Sequence, residues 1–257
     1  MKLITVGSDP EFFLVGENGV TVSQGVVPGT KTRPKKLKYG MVHRDNVLCE
    51  LNPQPASNPE DFVGNLNLLR EEVTRKFLRP NGLSLLAKAS HVFEPDLLYH
   101  PEARTFGCSQ DEGMWDRMQT KAEPHRSGLV RGAGGHIHLG IEGLEDCDLR
   151  TVISSLDMLI SVPLVLKDPD KYRREFYGKA GCYRRKPYGI EYRTPSNVWC
   201  TSDNLGRWVY QQAQRSVEEP LALLPETIEV MVRCIDTSDV LIAEQLCALF
   251  NLEVPNV

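Results

Sequence analysis

Arg131-Gly-Ala-Gly-Gly-His-Ile-His-Leu-Gly140 is the stretch from which the rest of the chain can be read. His136 and His138 stand two residues apart, and apolar Ile137 and Leu139 alternate with them. On a strand, side chains two apart share one face and lie roughly 6–7 Å from each other. Both imidazoles therefore project to one side and both aliphatic chains to the other. Gly132, Gly134 and Gly135 precede them, and glycine allows positive φ and close approach of backbone to a ligand.

The same arrangement of two polar groups two residues apart occurs three more times. Asp9-Pro-Glu11 lies inside the apolar run Val6–Val15, Glu50-Leu-Asn52 closes Val47-Leu-Cys-Glu-Leu-Asn52, and Glu191-Tyr-Arg193 follows Tyr188-Gly-Ile190. Carboxylates in such apolar surroundings are costly unless paired or metal-bound. Four such strands in one sheet would line a polar concavity suited to a metal ion and an anion.

Composition narrows the field. The chain has 257 residues, enough for a sizeable core, with 41% hydrophobic and 25% charged residues. Its net charge of −4 gives no electrostatic reason to expect nucleic-acid or membrane binding. Seven scattered cysteines form no CxxC pair, so neither a zinc ribbon nor a disulfide framework is indicated. The opening Met1-Lys-Leu-Ile-Thr-Val-Gly7 reads as a strand rather than a signal peptide, and no apolar run is long enough to span a bilayer. The expectation is a reduced, cytoplasmic protein.

Along the chain, strands are expected over 2–15 and 18–24 around the turn Gly16-Glu-Asn-Gly19, then a basic loop over 25–40, then two short strands over 41–52 hinged near Arg44-Asp-Asn46. Asn58-Pro-Glu-Asp61 opens a helix whose Phe62, Leu66, Leu69, Val73 and Phe77 recur at helical spacing, and Pro80-Asn-Gly82 stops it. A strand is expected over 83–92, an irregular segment over 94–123, and paired strands over 126–130 and 135–141. A helix over 146–162, short helix and loop over 168–186, a site strand over 188–194 and helices over 204–224, 226–233 and 238–250 complete the reading. Strands mostly come first and helices last, which favours α+β with an antiparallel sheet in a single domain over 1–257, its site strands within 1–195 and its helical part over 204–250.

Four motifs in this order resemble the glutamine synthetase and glutamate–cysteine ligase superfamily, and most closely its phage-type carboxylate–amine ligases, the type-2 amidoligases. Gly7-Ser-Asp-Pro-Glu-Phe-Phe-Leu14 resembles the first-strand acidic motif, Glu50-Leu-Asn-Pro53 the E-[IL]-N strand, Gly132–Gly140 the glycine loop and histidine strand, and Ile190-Glu-Tyr-Arg-Thr-Pro195 the IEVRxP strand. The resemblance implies a glutamine synthetase/guanidine kinase-like curved antiparallel sheet, a partial barrel with helices on its convex face. It implies ATP-dependent joining of a carboxylate to an amine through an acyl phosphate, with Mg²⁺ or Mn²⁺. By position, Glu11, Glu50, His136 and Glu191 match metal ligands, with Asp9 beside them in a catalytic place. His138 and Arg193 match positions near the phosphate or the substrate carboxylate, and Gly132, Gly134 and Asn52 match the substrate's surroundings.

Many relatives carry an arginine two residues before the last metal glutamate, where this chain has Gly189. The missing cation must come from elsewhere; Arg184 and Arg185 are candidates, and Lys36 of the basic loop is a candidate for nucleotide phosphates. Tyr172, Tyr177, Tyr183 and Tyr188, set among Arg173, Arg174, Arg184, Arg185 and Lys186, suggest a phosphate or adenine wall. Specificity is expected in 94–125 and 168–186. The expected partners are a small-molecule or peptide carboxylate and an amine. Association into identical subunits, common in this superfamily's synthetases, and a host cytoplasm for a phage-encoded protein are further expectations.

Bland readings accompany each site residue. Glu50 could be the ion-pair partner of Arg44, Glu191 could pair simply with Arg193, and Pro10 could mark an edge or a bulge. Cys108 and Cys182 follow glycines in expected loops, with no histidine placed by sequence to activate them. Two other functions fit the residues: a zinc hydrolase using His136, His138 and a glutamate, and a catalytically silent nucleotide- or metal-binding module on the same scaffold.

Overall fold

The structure, a computed structural model, describes residues 1–104, 112–115 and 128–255. Its first strand, β1 (Lys2–Gly16), is the axis of a ten-stranded sheet among these residues. β1 turns through Glu17-Asn18 into β2 (Gly19–Thr21), as the Gly16–Gly19 turn predicts. The basic loop holds only the two-residue β3 (Lys35–Lys36). The next segment forms β4 (Gly40–Asp45) and β5 (Leu48–Pro53), turning at Asn46, which has φ +59.

Helix α1 (Pro59–Val73) starts as expected: the Asn58 side chain accepts from the Asp61 N–H, a cap worth about 1 kcal/mol. It runs on through a wider turn, Thr74–Leu78, and a tight one, Arg79–Asn81, to Gly82 in the left-handed region. The expected single strand over 83–92 is two strands, β6 (Ser84–Leu86) and β7 (Ser90–Val92). They separate because β6 pairs with β1, whereas β7 pairs with β9 (Val130–Gly132) in a second, two-stranded sheet. The pairing expected between 126–130 and 135–141 is therefore replaced; residues 126 and 127 lie outside the described residues. Between β7 and β9 come α2 (Pro101–Arg104) and β8 (Glu112–Gly113).

The strand that opened the reading is β10 (Gly135–Glu142). Helices α3 (Asp146–Leu156) and α4 (Val162–Val165) follow it, joined by a wider helical turn over Asp157–Ser161. After α5 (Lys171–Phe176) the chain forms β11 (Cys182–Lys186), a strand where helix and loop were expected, then β12 (Gly189–Tyr192). Helices α6 (Asp203–Glu218), α7 (Pro225–Thr237) and α8 (Val240–Leu249) end the described chain, α6 stopping short of the expected 224 because Pro220 cannot continue it.

The sheet order is β3-β4-β5-β1-β10-β12-β11-β8, every pairing antiparallel, with β2 and β6 added to the far end of β1. The order has two ends, β3 and β8, and no closed barrel forms. The architecture is α+β, with helices and an antiparallel sheet. One face of the sheet carries Phe12, Cys49, Leu51, Ile137, Leu139, Ile190 and Tyr192, all fully buried in one core with α1, α3 and α6. The opposite face carries the polar alternates. Pro10 marks neither an edge nor a bulge: β1 changes partner there, pairing with β10 through residue 10 and with β5 at Glu11 and Phe12, and its irregularity lies instead between Leu3 and Thr5. No helix of the described residues is long and apolar enough to cross a membrane.

Candidate functional site

Register lines up the polar face. Asp9 stands opposite His136, Gly7 and Glu191 flank His138, Glu11 stands opposite Glu50, and Glu50 opposite His43. Arg184 stands opposite Glu191 on the other side. The four sequence motifs thus share one face, and β4 and β11 extend it.

Two groups of donors result. Glu11, Asp45 and Glu50 each present an oxygen within 4.8 Å of the others, and so do Asp9, His138 and Glu191 with one atom each. The sequence places Asp45 only in a hinge, Arg44-Asp-Asn46, yet His43 and Asp45 are also two apart on a strand, and that spacing is the signal for a shared face. The first group is deeply buried, with exposures of 4%, 8% and 6% for Glu11, Asp45 and Glu50. Burial, with repulsion from Asp45 and Glu50, pushes the Glu11 carboxyl up to about 8, against the hydrogen bond it accepts from Gly134 N–H. His43 Nε2 lies 3.2 Å from Glu50 Oε2, and Asn52 Nδ2 donates to Glu50 at 3.1 Å. Burial alone would lower His43, but Glu50 outweighs it and holds the imidazole above its ordinary value. Arg44 pairs with Glu102 instead of Glu50, which removes the bland reading of Glu50.

The second group is centred on Asp9. His136 Nδ1 is 3.0 Å from Asp9 Oδ1, and His138 Nε2 is 3.1 Å from Asp9 Oδ2. Burial would raise Asp9, but the two histidines outweigh it and hold the carboxyl well below the usual carboxylate range. Burial opposes charge on His138, yet Asp9 raises it, whereas burial and Arg193 lower His136. His138 Nδ1 meets the Tyr188 hydroxyl.

His136 touches the second group, its Nδ1 lying 3.0 Å from Asp9 Oδ1 and 3.8 Å from Glu191 Oε1. Its Nδ1 is on Asp9 and its Nε2 meets the Tyr177 hydroxyl, so both ring nitrogens are engaged within the protein. Register sets His138 opposite Glu191, and His138 and Asp45 join the acids at the two places where three donor atoms lie within 4.8 Å of one another. Tyr177 also accepts from Arg193 Nη2 at 2.8 Å, and Arg193 contacts Glu191 directly. Burial would raise Glu191, but Arg193 outweighs it and brings the carboxyl down to about 2.

Lys186 Nζ reaches Glu191 Oε2 at 2.7 Å and Arg184 Nη1 reaches Oε1 at 3.4 Å. Lys186 faces Gly189 across the strands, so a neighbouring strand supplies the positive charge that the Gly189 position lacks. Arg185 does not: it alternates to the other face and pairs with Asp146 at 2.6 Å, at the start of α3. Lys36 stands opposite Met41 at the sheet's edge, exposed, in the register column that contains Asn52.

The tyrosines do not form one wall. Tyr177 is buried behind His136, Tyr183 is buried, Tyr172 is exposed, and only Tyr188 stands beside His138 at the site. Arg173 is buried and donates to the carbonyls of Ala133, Thr194 and Pro195, locking the glycine stretch to the end of β12. Cys182 is buried, and Cys108, with most of 94–125, lies outside the described residues.

The glycine stretch approaches the protein's own groups and has no positive φ at Gly132, Gly134 or Gly135, contrary to the sequence expectation. A Cβ on Gly134 would overlap the His136 ring. Gly134→Ala is therefore expected to displace His136 from Asp9 and Tyr177, destabilising the fold by about 2 kcal/mol. Denaturant unfolding measures this, and unchanged stability would refute the packing described.

A cavity of about 570 Å³ opens on this face, bordered by Glu50 of the first donor group, His138 of the second, and Lys31, His43, Asn52, Met41 and Tyr188. It is large enough for a drug-sized or nucleotide-sized ligand. No curated protein matches the chain. Residues 129–230, which carry β10, β12 and α6, match the family described as phage phiEco32-like COOH.NH2 ligase-type 2, and this is the family that the four motifs resemble.

Proposed function

We propose that the protein is an ATP-dependent carboxylate–amine ligase that forms an amide through an acyl phosphate, using Mg²⁺ or Mn²⁺. The observation that carries this is the pair of three-donor groups on one sheet face, bordering one cavity. The match over 129–230 supports the ligase class. In this reading the chain is one catalytic unit with a glutamine synthetase-like curved sheet, working in the cytoplasm on a carboxylate and an amine substrate.

The donor chemistry fits divalent cations. Three buried carboxylates within 4.8 Å repel one another, as the raised Glu11 reflects, and a hard cation relieves this. Glu11, Asp45 and Glu50 would hold one cation; Asp9, His138 and Glu191, with an imidazole, would hold a second and tolerate Mn²⁺. Bound cations would neutralise the phosphate oxygens of ATP and let the anionic acid substrate approach. The chain's own part is to fix these donors, since Asp9 is tied to both histidines and His136 to Tyr177. Arg193, Arg184 and Lys186 keep positive charge beside Glu191, where a phosphoryl group or substrate carboxylate would accept hydrogen bonds.

The alternatives are weaker. A zinc site of His136, His138 and a glutamate would use a single three-ligand group, whereas two three-donor groups share this face. A silent module would be favoured by a missing cation at Gly189, and Lys186 brings a cation to Glu191 there. The test is ADP and phosphate release with acid and amine pairs in the presence of Mn²⁺. Release that requires both substrates is expected; absence of nucleotide binding with Mn²⁺ present, or one tightly held zinc per chain, would reject the proposal.

A further inference from the structure

We propose that Lys31 is a tethered stand-in for a divalent cation: its ammonium group serves the Glu11/Asp45/Glu50 group when no metal ion is bound, and swings to an anionic phosphate in the adjoining cavity when one is. This rests on the cation reading above. Lys31 Nζ lies 3.0 Å from Asp45 Oδ2, and Asp45 shares its 4.8 Å group with Glu11 and Glu50. The side chain is half exposed, at 50%, while that of Asp45 is at 10%. The cation therefore comes from solvent while its anions are buried.

The backbone presenting Lys31 is held in place. Thr30 and Arg33 exchange both backbone hydrogen bonds around Lys31 and Thr32, at 3.1 and 2.9 Å. Thr30 also bridges to Arg44 on β4, and Arg44 Nη1 donates to the Val27 carbonyl at 3.0 Å. The exchange is therefore a side-chain rotation about a fixed turn, without opening of the loop. Lys31 borders the same cavity as Glu50 and His138, so its released ammonium stays where an anion would sit.

A second feature marks this corner as prepared for a ligand. His43 is 4% exposed, borders both the acids and the cavity, and its Nδ1 has no hydrogen-bond partner among the described residues. Buried imidazole nitrogens are ordinarily hydrogen-bonded, and an unpartnered one on a residue that borders a cavity offers a polar contact to a ligand there.

A plain surface ion pair would leave cation affinity almost unchanged on removal of the lysine. A tethered competitor gives the opposite signs for two ligands. Isothermal titration of Mn²⁺ into the metal-free protein, without nucleotide, is expected to show Lys31→Met binding roughly fivefold more tightly than the wild type, with Lys31→Arg staying near the wild type. Titration of ADP into the Mn²⁺-saturated proteins is expected to show Lys31→Met binding roughly fivefold more weakly. Equal or weaker Mn²⁺ binding by Lys31→Met, or ADP binding unchanged by it, overturns the inference while leaving the ligase reading intact. If the wild type binds no Mn²⁺ at all, the cation reading fails first and this inference with it. Lys31→Arg, which keeps the charge, separates loss of the competitor from damage to the turn.

Discussion

Glu11→Gln is expected to lower ligase turnover at least about 10³-fold while making the cation-free protein more stable at high pH. The activity loss follows from removing one of three oxygen donors at the centre of the first group. The stability gain follows from the environment of that carboxyl. In the folded protein burial, Asp45 and Glu50 hold it at about 8, above its ordinary 4.5. Between those two values the folded chain binds a proton that the unfolded chain releases. Stability is therefore whole below about pH 4.5 and falls as pH rises through 8. The ceiling on this loss is on the order of 5 kcal/mol, reduced by whatever the neighbouring groups relax. Glutamine cannot ionise, keeps the shape and can still accept from Gly134 N–H, so its profile should fall less steeply over this window, keeping only the loss that the raised His43 and His138 give both proteins. Urea unfolding without metal at pH 6 and pH 9 makes the comparison. The wild type should weaken more between them than the variant does, and Mn²⁺ should restore the wild type more at pH 9 than at pH 6. A variant that weakens as steeply as the wild type would show that Glu11 is not the strained carboxyl.

Placing at 189 the arginine that the family resemblance leads one to expect should be ruinous. Gly189 has φ +143, and a Cβ there would land on the Leu139 carbonyl oxygen, with the Ile141 nitrogen 3.0 Å away. Both are backbone atoms of β10, the strand that carries His136 and His138, so neither can turn aside as a side chain would. Gly189→Ala is expected to cost about 3 kcal/mol or more, and Gly189→Arg to give little folded protein. The loss would appear in thermal melts and soluble yield. A folded, active Gly189→Arg protein would mean that β10 and β12 do not meet in this register. The reason for the glycine also explains Lys186: with no room for a side chain at 189, the residue opposite it brings the charge to Glu191.

Much of this was open to reading from local pattern. Polar groups two apart on Asp9-Pro-Glu11, Glu50-Leu-Asn52, His136-Ile-His138 and Glu191-Tyr-Arg193 had to share a face, because strand geometry repeats every two residues. Apolar alternates such as Phe12, Leu51, Ile137 and Ile190 had to turn to the core. Cap and stop signals bounded α1 with no help from distant residues. Where the reading failed, the deciding partner was remote. Residues 83–92 look like one strand until β1 and β9 each claim a part of it. β11 falls where helix and loop are expected, because Tyr183 and Arg185 have no face visible in the sequence until β12 and α3 provide one.

The two-residue period of each motif belonged to the chain's local chemistry, and with it came the membership of the polar face and the antiparallel α+β character. Grouping belonged to the tertiary structure alone. Register across strands chose Asp45 to join Glu11 and Glu50, set His138 directly opposite Glu191, and set Lys31 and Lys186 against acids 14 and five residues away. The physical reason is that periodicity acts within one strand, whereas a shared cation or ion pair depends on which strands lie side by side and on their alignment to a single residue.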